Sequence, residues 1–133
     1  MLFLFFIKNA DGQNFKADSA TRLVETGGIP GASATGYYFK ISAKVPAKKV
    51  KIDSVWVNNR DLIIAPKNIS VTSTNGLTTW RIRVGVHNGK PTGQPANSAK
   101  NMNRAAIIYY TYKNKHHEFI VKSITTLPSL NYP

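Results

Sequence analysis

The stretch from Val50 to Ala65 places two apolar runs on either side of one polar turn. The first run contains Val55-Trp56-Val57, so a strand there would have no polar face. Such a strand is typical of a sheet covered on both sides, because successive side chains of a strand point to opposite faces. Asn58 and Asn59 tolerate the positive φ of a tight turn. The stretch therefore predicts a β-hairpin at the centre of the fold, with a bulge at Asp53 to Ser54.

Two further stretches alternate between apolar and polar residues with the period of a half-buried strand. In the first, one face carries Tyr37, Phe39, Ile41, Ala43 and Val45, and the other carries Tyr38, Lys40, Ser42 and Lys44. In the second, one face carries Trp80, Ile82, Val84 and Val86, and the other carries Thr79, Arg81, Arg83 and Gly85. Asn75-Gly76 is a strong turn signal and predicts a hairpin between Ile69 to Thr74 and this second stretch.

A third hairpin is predicted for Ala105 to Tyr112 and His116 to Thr125, turning at Lys113 to Lys115, and Arg22 to Thr26 suits a short edge strand. Together these signals indicate seven or eight short strands and no helical period, which is typical of an antiparallel β-sandwich or barrel. We favour an all-β, immunoglobulin-like β-sandwich. Because the chain has no Cys, that preference rests on the strand count and on Trp56 and Trp80, which we expect to meet in one dry layer.

The 133 residues fit one domain. We place it at 14–126, with a tail at 127–133. Residues 1–13 are either the remnant of an export signal or a first strand: Leu2 to Ile7 is an apolar hexamer, but Lys8 follows it and no small-residue cleavage site appears. Six residues are too few to cross a bilayer, and no other segment is long and apolar enough, so no transmembrane span is predicted.

Three segments stand out within residues 27–58: Gly27-Gly28-Ile29-Pro30-Gly31, Tyr37 to Val45, and Ile52 to Asn58. Together they resemble small secreted bacterial β-sandwich proteins of uncharacterised function. The resemblance implies export to the periplasm or the medium and a sandwich fold. It carries no site residue over to this chain.

Charge is the compositional outlier. Eighteen Lys and Arg against six Asp and Glu give a formal net charge of +12, which favours attraction to phosphates, anionic glycans or an anionic membrane surface. The alternative is that excess Lys keeps exposed strands soluble and protects their edges from pairing.

Basic and aromatic residues alternate with core residues on two of the predicted strands. Arg81 and Arg83 project from one, and Lys40 and Lys44 project with Tyr38 from the other. If the two strands lie in one sheet, these residues form a cationic patch that binds phosphate or sulfate groups and stacks a base or sugar ring on Tyr38. The alternative interpretation is an ordinary solvated outer face.

The segment from His87 to Arg104 has two Pro, two Gly, four Asn and almost no large apolar side chain. It predicts a long loop, and loops of this length are more often functional than accidental. We expect this loop to be a contact surface, with His87, Lys90, Lys100 and Arg104 as its candidate contact residues.

No stretch carries the pattern of a catalytic or metal site. Gly31 to Gly36 lacks the residues that a nucleophile elbow or a phosphate-binding loop requires. His116 and His117 are adjacent, so on a strand they point to opposite faces and do not chelate one ion together. We therefore expect neither enzyme activity, nor a bound metal, nor a cofactor.

These observations favour a non-enzymatic, exported binding or structural module of the cell envelope that contacts a protein or an envelope polysaccharide through its loops. The alternative is a polyanion binder, for nucleic acid or an acidic glycan, that uses the basic face of one sheet.

Overall fold

The computed structural model describes residues 15–26, 33–58, 62–87, 94–95 and 104–131. These residues form eleven β-strands and one short 3-10 turn at Ala47–Lys49. The strands are β1 (Lys16–Thr26), β2 (Ser33–Ala43), β3 (Val50–Val57), β4 (Leu62–Ile64), β5 (Asn68–Thr74), β6 (Leu77–His87), β7 (Gln94–Pro95), β8 (Ala106–Tyr112), β9 (Lys115–Val121), β10 (Thr125–Thr126) and β11 (Leu130–Asn131). The expectation of an all-β fold is confirmed.

The strands form two sheets. The first has the order β10-β1-β2-β6-β5, with β11 also pairing with β1, and the second has the order β7-β4-β3-β8-β9. All pairs are antiparallel except those that β10 and β11 make with β1. Apart from the two-residue strands β7, β10 and β11, eight strands are described, near the number expected.

The predicted central hairpin is present. β3 pairs with β4 so that Val57 lies opposite Leu62, and the β3–β8 register shifts between Ile52 and Ser54. That shift is the expected bulge. Asn59, the second residue of the predicted turn, lies outside the described residues.

Two hairpins close with two-residue turns in which both residues have positive φ. Asn75 and Gly76 have φ values of 52° and 80°, as a type I′ turn requires, and they join β5 to β6 as predicted. Lys113 and Asn114 do the same between β8 and β9, with φ values of 53° and 62°. The third residue of that predicted turn, Lys115, is instead the first residue of β9.

One apolar core lies between the two sheets. It includes Tyr37, Phe39, Ile41, Trp80, Ile82, Val84 and Val86 from the first sheet and Val55, Val57, Ile64, Ile108, Tyr110 and Val121 from the second. Phe15, just before β1, joins the two sets, because its ring centroid lies 5.3 Å from that of Trp80 and 4.7 Å from that of Tyr110. The alternating pattern of β2 and β6 thus predicted their buried faces correctly.

Trp56 does not meet Trp80. Val55 and Val57 face the core, so Trp56 between them points to the opposite face of the second sheet, where its register partners are Ile63 and Ile107. It is nevertheless fully buried, at 0% exposed. The prediction that this strand is covered on both sides is therefore confirmed at Trp56 but not at Lys51, which is exposed, and the expectation of one layer shared by the two indoles is wrong.

The chain ends depart from the sequence expectations. β1 begins at Lys16, not Arg22, and it is flanked by β2 on one side and by β10 and β11 on the other, so it is not an edge strand. In the predicted tail, the N–H of Leu127 donates to the carbonyl of Arg22 at 2.8 Å and β11 pairs with the end of β1. The segment 1–13 and the glycine cluster at 27–31 lie outside the described residues.

In the ranges given above, no helix has the length and apolar character that a membrane crossing needs.

We expect Thr78→Val to lower the free energy of unfolding by about 1–3 kcal/mol. Thr78 is buried on β6, and its hydroxyl donates to the carbonyl of Val45 at 2.6 Å and contacts the Ser73 hydroxyl at 2.9 Å. The valine has the same shape but leaves that carbonyl without its donor. Urea unfolding measures the loss.

The control is Thr74→Val on exposed β5, which should change the free energy of unfolding by less than about 0.5 kcal/mol. Equal urea midpoints for the two variants would contradict a stabilising role for the Thr78 hydroxyl.

Candidate functional site

The pairing of β2 with β6 brings four of the five predicted polyanion-binding residues together. Tyr38 lies directly opposite Arg83, and Lys40 lies directly opposite Arg81. Their neighbours along both strands belong to the core, so these four side chains project from the opposite, outer face of the first sheet. We call Tyr38, Lys40, Arg81 and Arg83 the cationic face.

The surface around the cationic face includes residues from two further strands, β5 and β1. Arg83 has Asn68 of β5 on its far side and Arg81 has Ser70, while Lys40 has Ser19 of β1. These residues line an open groove of about 350 Å³ that crosses the strands. The residues directly opposite the three cations on β1 and β5 are therefore neutral hydrogen-bonding groups, which suit the oxygen atoms of an anionic ligand.

Tyr38 is held at the centre of this face by its neighbours. The Arg83 guanidinium carbon lies over its ring, 5.7 Å from the centroid, within the range of a cation–π contact. A Cβ added at Gly36 would lie only 2.8 Å from the Tyr38 hydroxyl oxygen and 3.0 Å from ring atoms Cε2 and Cζ. The Tyr38 ring thus packs over residue 36 and occupies space that is free only because this residue is glycine.

Lys67 is a further cation on this surface that the sequence analysis missed. Gly85 lies opposite Gly36 in the register, and a Cβ added there would meet the Lys67 Nζ at 3.6 Å. Lys67 precedes β5 and is not part of an alternating strand, so periodicity gave no sign of its position. Gly85 on the Arg81 and Arg83 face was the available signal, because a glycine leaves room for a side chain from a neighbouring segment.

Lys44, the fifth predicted residue, does not join the cationic face. β2 ends at Ala43 and the backbone bends at Lys44, which is exposed and does not line the groove. The two-residue period of the sequence placed Lys44 on the same face as Lys40, but β2 ends before Lys44.

The cationic face has no carboxylate partner among the described residues. Among the residues that the structure describes, no Asp or Glu forms an ion pair with Lys40, Arg81 or Arg83. Arg81 makes a long hydrogen bond of 3.5 Å from Nη1 to the Thr72 hydroxyl. The three cations are therefore available to an anion from solution.

Of the predicted loop contacts, only Arg104 is described beyond its backbone course. Its carbonyl accepts a hydrogen bond from the Asn58 side-chain amide at 3.3 Å, which ties the end of the loop to the central hairpin. His87 is the last residue of β6, and Lys90 and Lys100 lie outside the described residues. The loop contact surface stays a prediction.

The outer face of the second sheet carries a different polar cluster. The Thr111 hydroxyl donates to Asp53 Oδ2 at 2.6 Å and lies 3.2 Å from His116 Nδ1, and the His116 side chain is 90% exposed. His117 points the other way and stacks on Tyr110 with ring centroids 5.2 Å apart, as expected for adjacent strand residues. Within the described ranges, no three His, Asp or Glu side chains are grouped as metal ligands would be.

No protein-family model matches the sequence, and none of the curated proteins or solved structures compared with it is significantly similar. The resemblance noted in the sequence analysis therefore stays an expectation.

We expect Gly36→Ala to displace the Tyr38 ring and so weaken its contact with Arg83, because the added methyl group would occupy space that the ring now fills. The measurement is the NMR chemical shift of the Arg83 Nε–Hε group, which senses the ring current of Tyr38.

Gly85→Ala is the matched control, since its Cβ would make only ordinary contacts at 3.6 Å and beyond. A smaller change of the Arg83 shift in Gly36→Ala than in Gly85→Ala would show that the ring does not lean on residue 36.

Proposed function

We propose that this protein is a non-enzymatic binding module whose cationic face holds a linear polyanion, either a single-stranded nucleic acid or an acidic glycan. The observation that carries the proposal is the register of β2 with β6, which sets Tyr38 opposite Arg83 and Lys40 opposite Arg81 on one solvent-facing surface. Lys40, Arg81 and Arg83, which have no carboxylate partner among the described residues, attract anionic groups. The ring of Tyr38 among them supplies a surface for stacking.

The spacing of the cations suits a polymer better than a single small anion. Residues two apart on a strand are separated by about 7 Å, and residues opposite each other on neighbouring strands by about 5 Å. Arg81 and Arg83 therefore present two guanidinium groups in a row, with Lys40 beside them. Successive anionic groups of a chain can contact each in turn.

The character of the whole molecule supports the same proposal. A net charge of +12 on 133 residues attracts polyanions from a distance and accelerates their association at low salt. Such a field alone is unspecific, so the arrangement on the first sheet supplies the location of binding.

The proposal includes an immunoglobulin-like arrangement of the two sheets. The orders β1-β2-β6-β5 and β4-β3-β8-β9 correspond to the ABED and C′CFG sheets of that fold. In antibody domains the tryptophan of strand C packs in the core, whereas Trp56 on the equivalent strand β3 faces away from it. That difference fits a chain without the disulfide on which such a tryptophan packs.

Export to the cell envelope belongs to the proposal as well. There the ligand would be an acidic envelope polysaccharide, and a protein partner would contact the loop from His87 to Arg104. The support for export comes from the sequence alone, from the apolar hexamer Leu2 to Ile7 and the resemblance to secreted proteins.

We expect Arg81→Gln with Arg83→Gln to weaken polyanion binding and to reduce the slope of log K against log salt by about 1.4 on oligothymidylate, since each phosphate-binding cation contributes about 0.7 on a single strand. Fluorescence anisotropy with labelled oligothymidylate and with labelled heparin fragments, at salt concentrations from about 50 to 200 mM, measures both quantities. The stronger of the two ligands identifies the class of polymer.

The control replaces Lys113 and Lys115 by Gln, which removes the same charge from the β8–β9 hairpin on the other sheet. An equal loss of affinity in both double variants would mean that net charge alone drives binding, which would overturn the proposed site.

We expect Tyr38→Leu to lower affinity by about tenfold, the low end of the 1–3 kcal/mol measured for base–aromatic stacking, while leaving the salt slope unchanged. The leucine keeps an apolar side chain but removes the ring. The same anisotropy titrations measure this. A parallel change of the salt slope, or full affinity with leucine, would contradict stacking on Tyr38.

A further inference from the structure

β5 is the last strand of the first sheet, and its far edge is open to solvent. All seven residues from Asn68 to Thr74 are exposed, and among the described strands only β6 pairs with it. The strand contains no charged residue, no Pro and no Gly. Edge strands are usually protected from pairing by Lys, Pro or a bulge, and β5 has none of these.

The turn at Asn75-Gly76 determines which backbone groups of β5 face outward. Thr74 and Leu77 flank this two-residue turn and so form a hydrogen-bonded pair, after which such pairs recur at every second residue. The backbone of Thr74, Thr72 and Ser70 thus bonds inward to β6. The N–H and C=O groups of Ile69, Val71 and Ser73 consequently point to the open edge.

The same edge leaves apolar surface uncovered. Ile69 and Val71 lie opposite Ile82 and Trp80, whose side chains are in the core. Yet Ile69 is 41% exposed and Val71 is 43% exposed. The inner face of the sheet therefore ends in two exposed β-branched side chains that a further strand would cover.

We propose that β5 pairs antiparallel with β5 of a second copy of this chain about a two-fold axis at Val71, so that the first sheets of two protomers form one continuous sheet. This interface rests on the geometry of β5 and is independent of the proposed function.

The register of this pairing follows from the strand itself. Val71 is the middle residue of the strand, so centring the two-fold axis there overlaps all of β5 with its symmetry mate. Ile69 then lies opposite Ser73 of the partner subunit, and Val71 opposite Val71 of the partner subunit. These are the residues whose backbone groups face outward, and each pair exchanges two hydrogen bonds. Side chains of the inner face meet inner-face side chains, so the two Val71 side chains cover each other.

Charge favours β5 over β9 as the edge at which a second copy pairs. Two chains of net charge +12 repel each other, and β5 itself is uncharged, although Lys67 precedes it and Arg81 and Arg83 lie on the neighbouring strand. By contrast β9, the last described strand of the second sheet, carries Lys115 and Glu118 and is followed by Lys122. A two-fold pairing of β5 with itself also closes, because both chains use the same edge.

The dimer would place two cationic faces side by side. An axis perpendicular to the sheet keeps the same face of both protomers on the same side. Arg81 and Arg83 of each protomer lie only two strands from the axis. If the proposed function holds, the paired protomers bind a longer polyanion than one protomer does.

Sedimentation velocity of the full chain without any ligand, over a range of protein concentrations, tests the dimer. We expect a monomer–dimer equilibrium, and we expect Val71→Lys to raise the dissociation constant by about tenfold or more, because like charges directly opposite each other are destabilising. Leu77→Lys is the matched control: Leu77 is 41% exposed in the same hairpin, but it lies on β6, away from the open edge. It should dimerise more strongly than Val71→Lys.

Cysteine cross-linking gives a second test that needs no destabilised variant. The chain has no Cys, and residues in a hydrogen-bonded pair have Cα atoms about 5.5 Å apart, within the range of a disulfide. Oxidation should link Val71→Cys into a covalent dimer faster than Leu77→Cys. A monomer at every concentration, assembly beyond the dimer, or equal cross-linking of the two variants would each overturn the inference.

Discussion

The ladder between β2 and β6 is the constraint on which both the core and the cationic face depend. Its register runs without a shift from Ala34 opposite His87 to Ala43 opposite Thr78. Because side chains alternate with a period of two, the same register that buries Phe39 against Ile82 places Lys40 against Arg81 on the other side. A slip of one residue would move the charges into the core and the aromatic rings into water. The buried face therefore holds the solvent-facing residues in place.

The arrangement on the outer face has a cost that solubility alone does not require. Lys40 and Arg81 are like charges directly opposite each other, and such pairs destabilise a sheet by roughly 0.2–1 kcal/mol. The charge of Arg83 is partly offset by the ring of Tyr38, whereas neither Lys40 nor Arg81 forms an ion pair with a carboxylate of the described residues. Cations kept only for solubility could stand apart on exposed loops. Their concentration in two adjacent rows is therefore an argument for an anionic ligand. In the same way, the absence of charge from β5 is an argument for contact between copies at that edge.

Several elements were predictable because their signals are local. The Asn75-Gly76 turn, the bulge after Ile52 and the buried faces of β2 and β6 each follow from a few neighbouring residues. The start of β1 at Lys16 was missed, because a strand whose outer residues are polar and whose inner residues are small or basic has no clear alternation. The orientation of Trp56 was missed for a different reason. In a run of three apolar residues, no alternation between apolar and polar side chains indicates which of them face the core. Lys44 was grouped with Lys40 because the period continues past the point at which the strand ends.

The amino-acid sequence by itself determined the all-β class, the turns and the set of residues that share a face of each strand, because these depend on backbone preferences and on a two-residue period within one segment. Only the tertiary structure decided which strands are neighbours, and hence that Tyr38 meets Arg83, that Lys67 lies over Gly85 and that β5 is left at an open edge. Such pairings join residues far apart in the chain. They are determined by the packing of whole sheets around a common core, so no local sequence pattern predicts them.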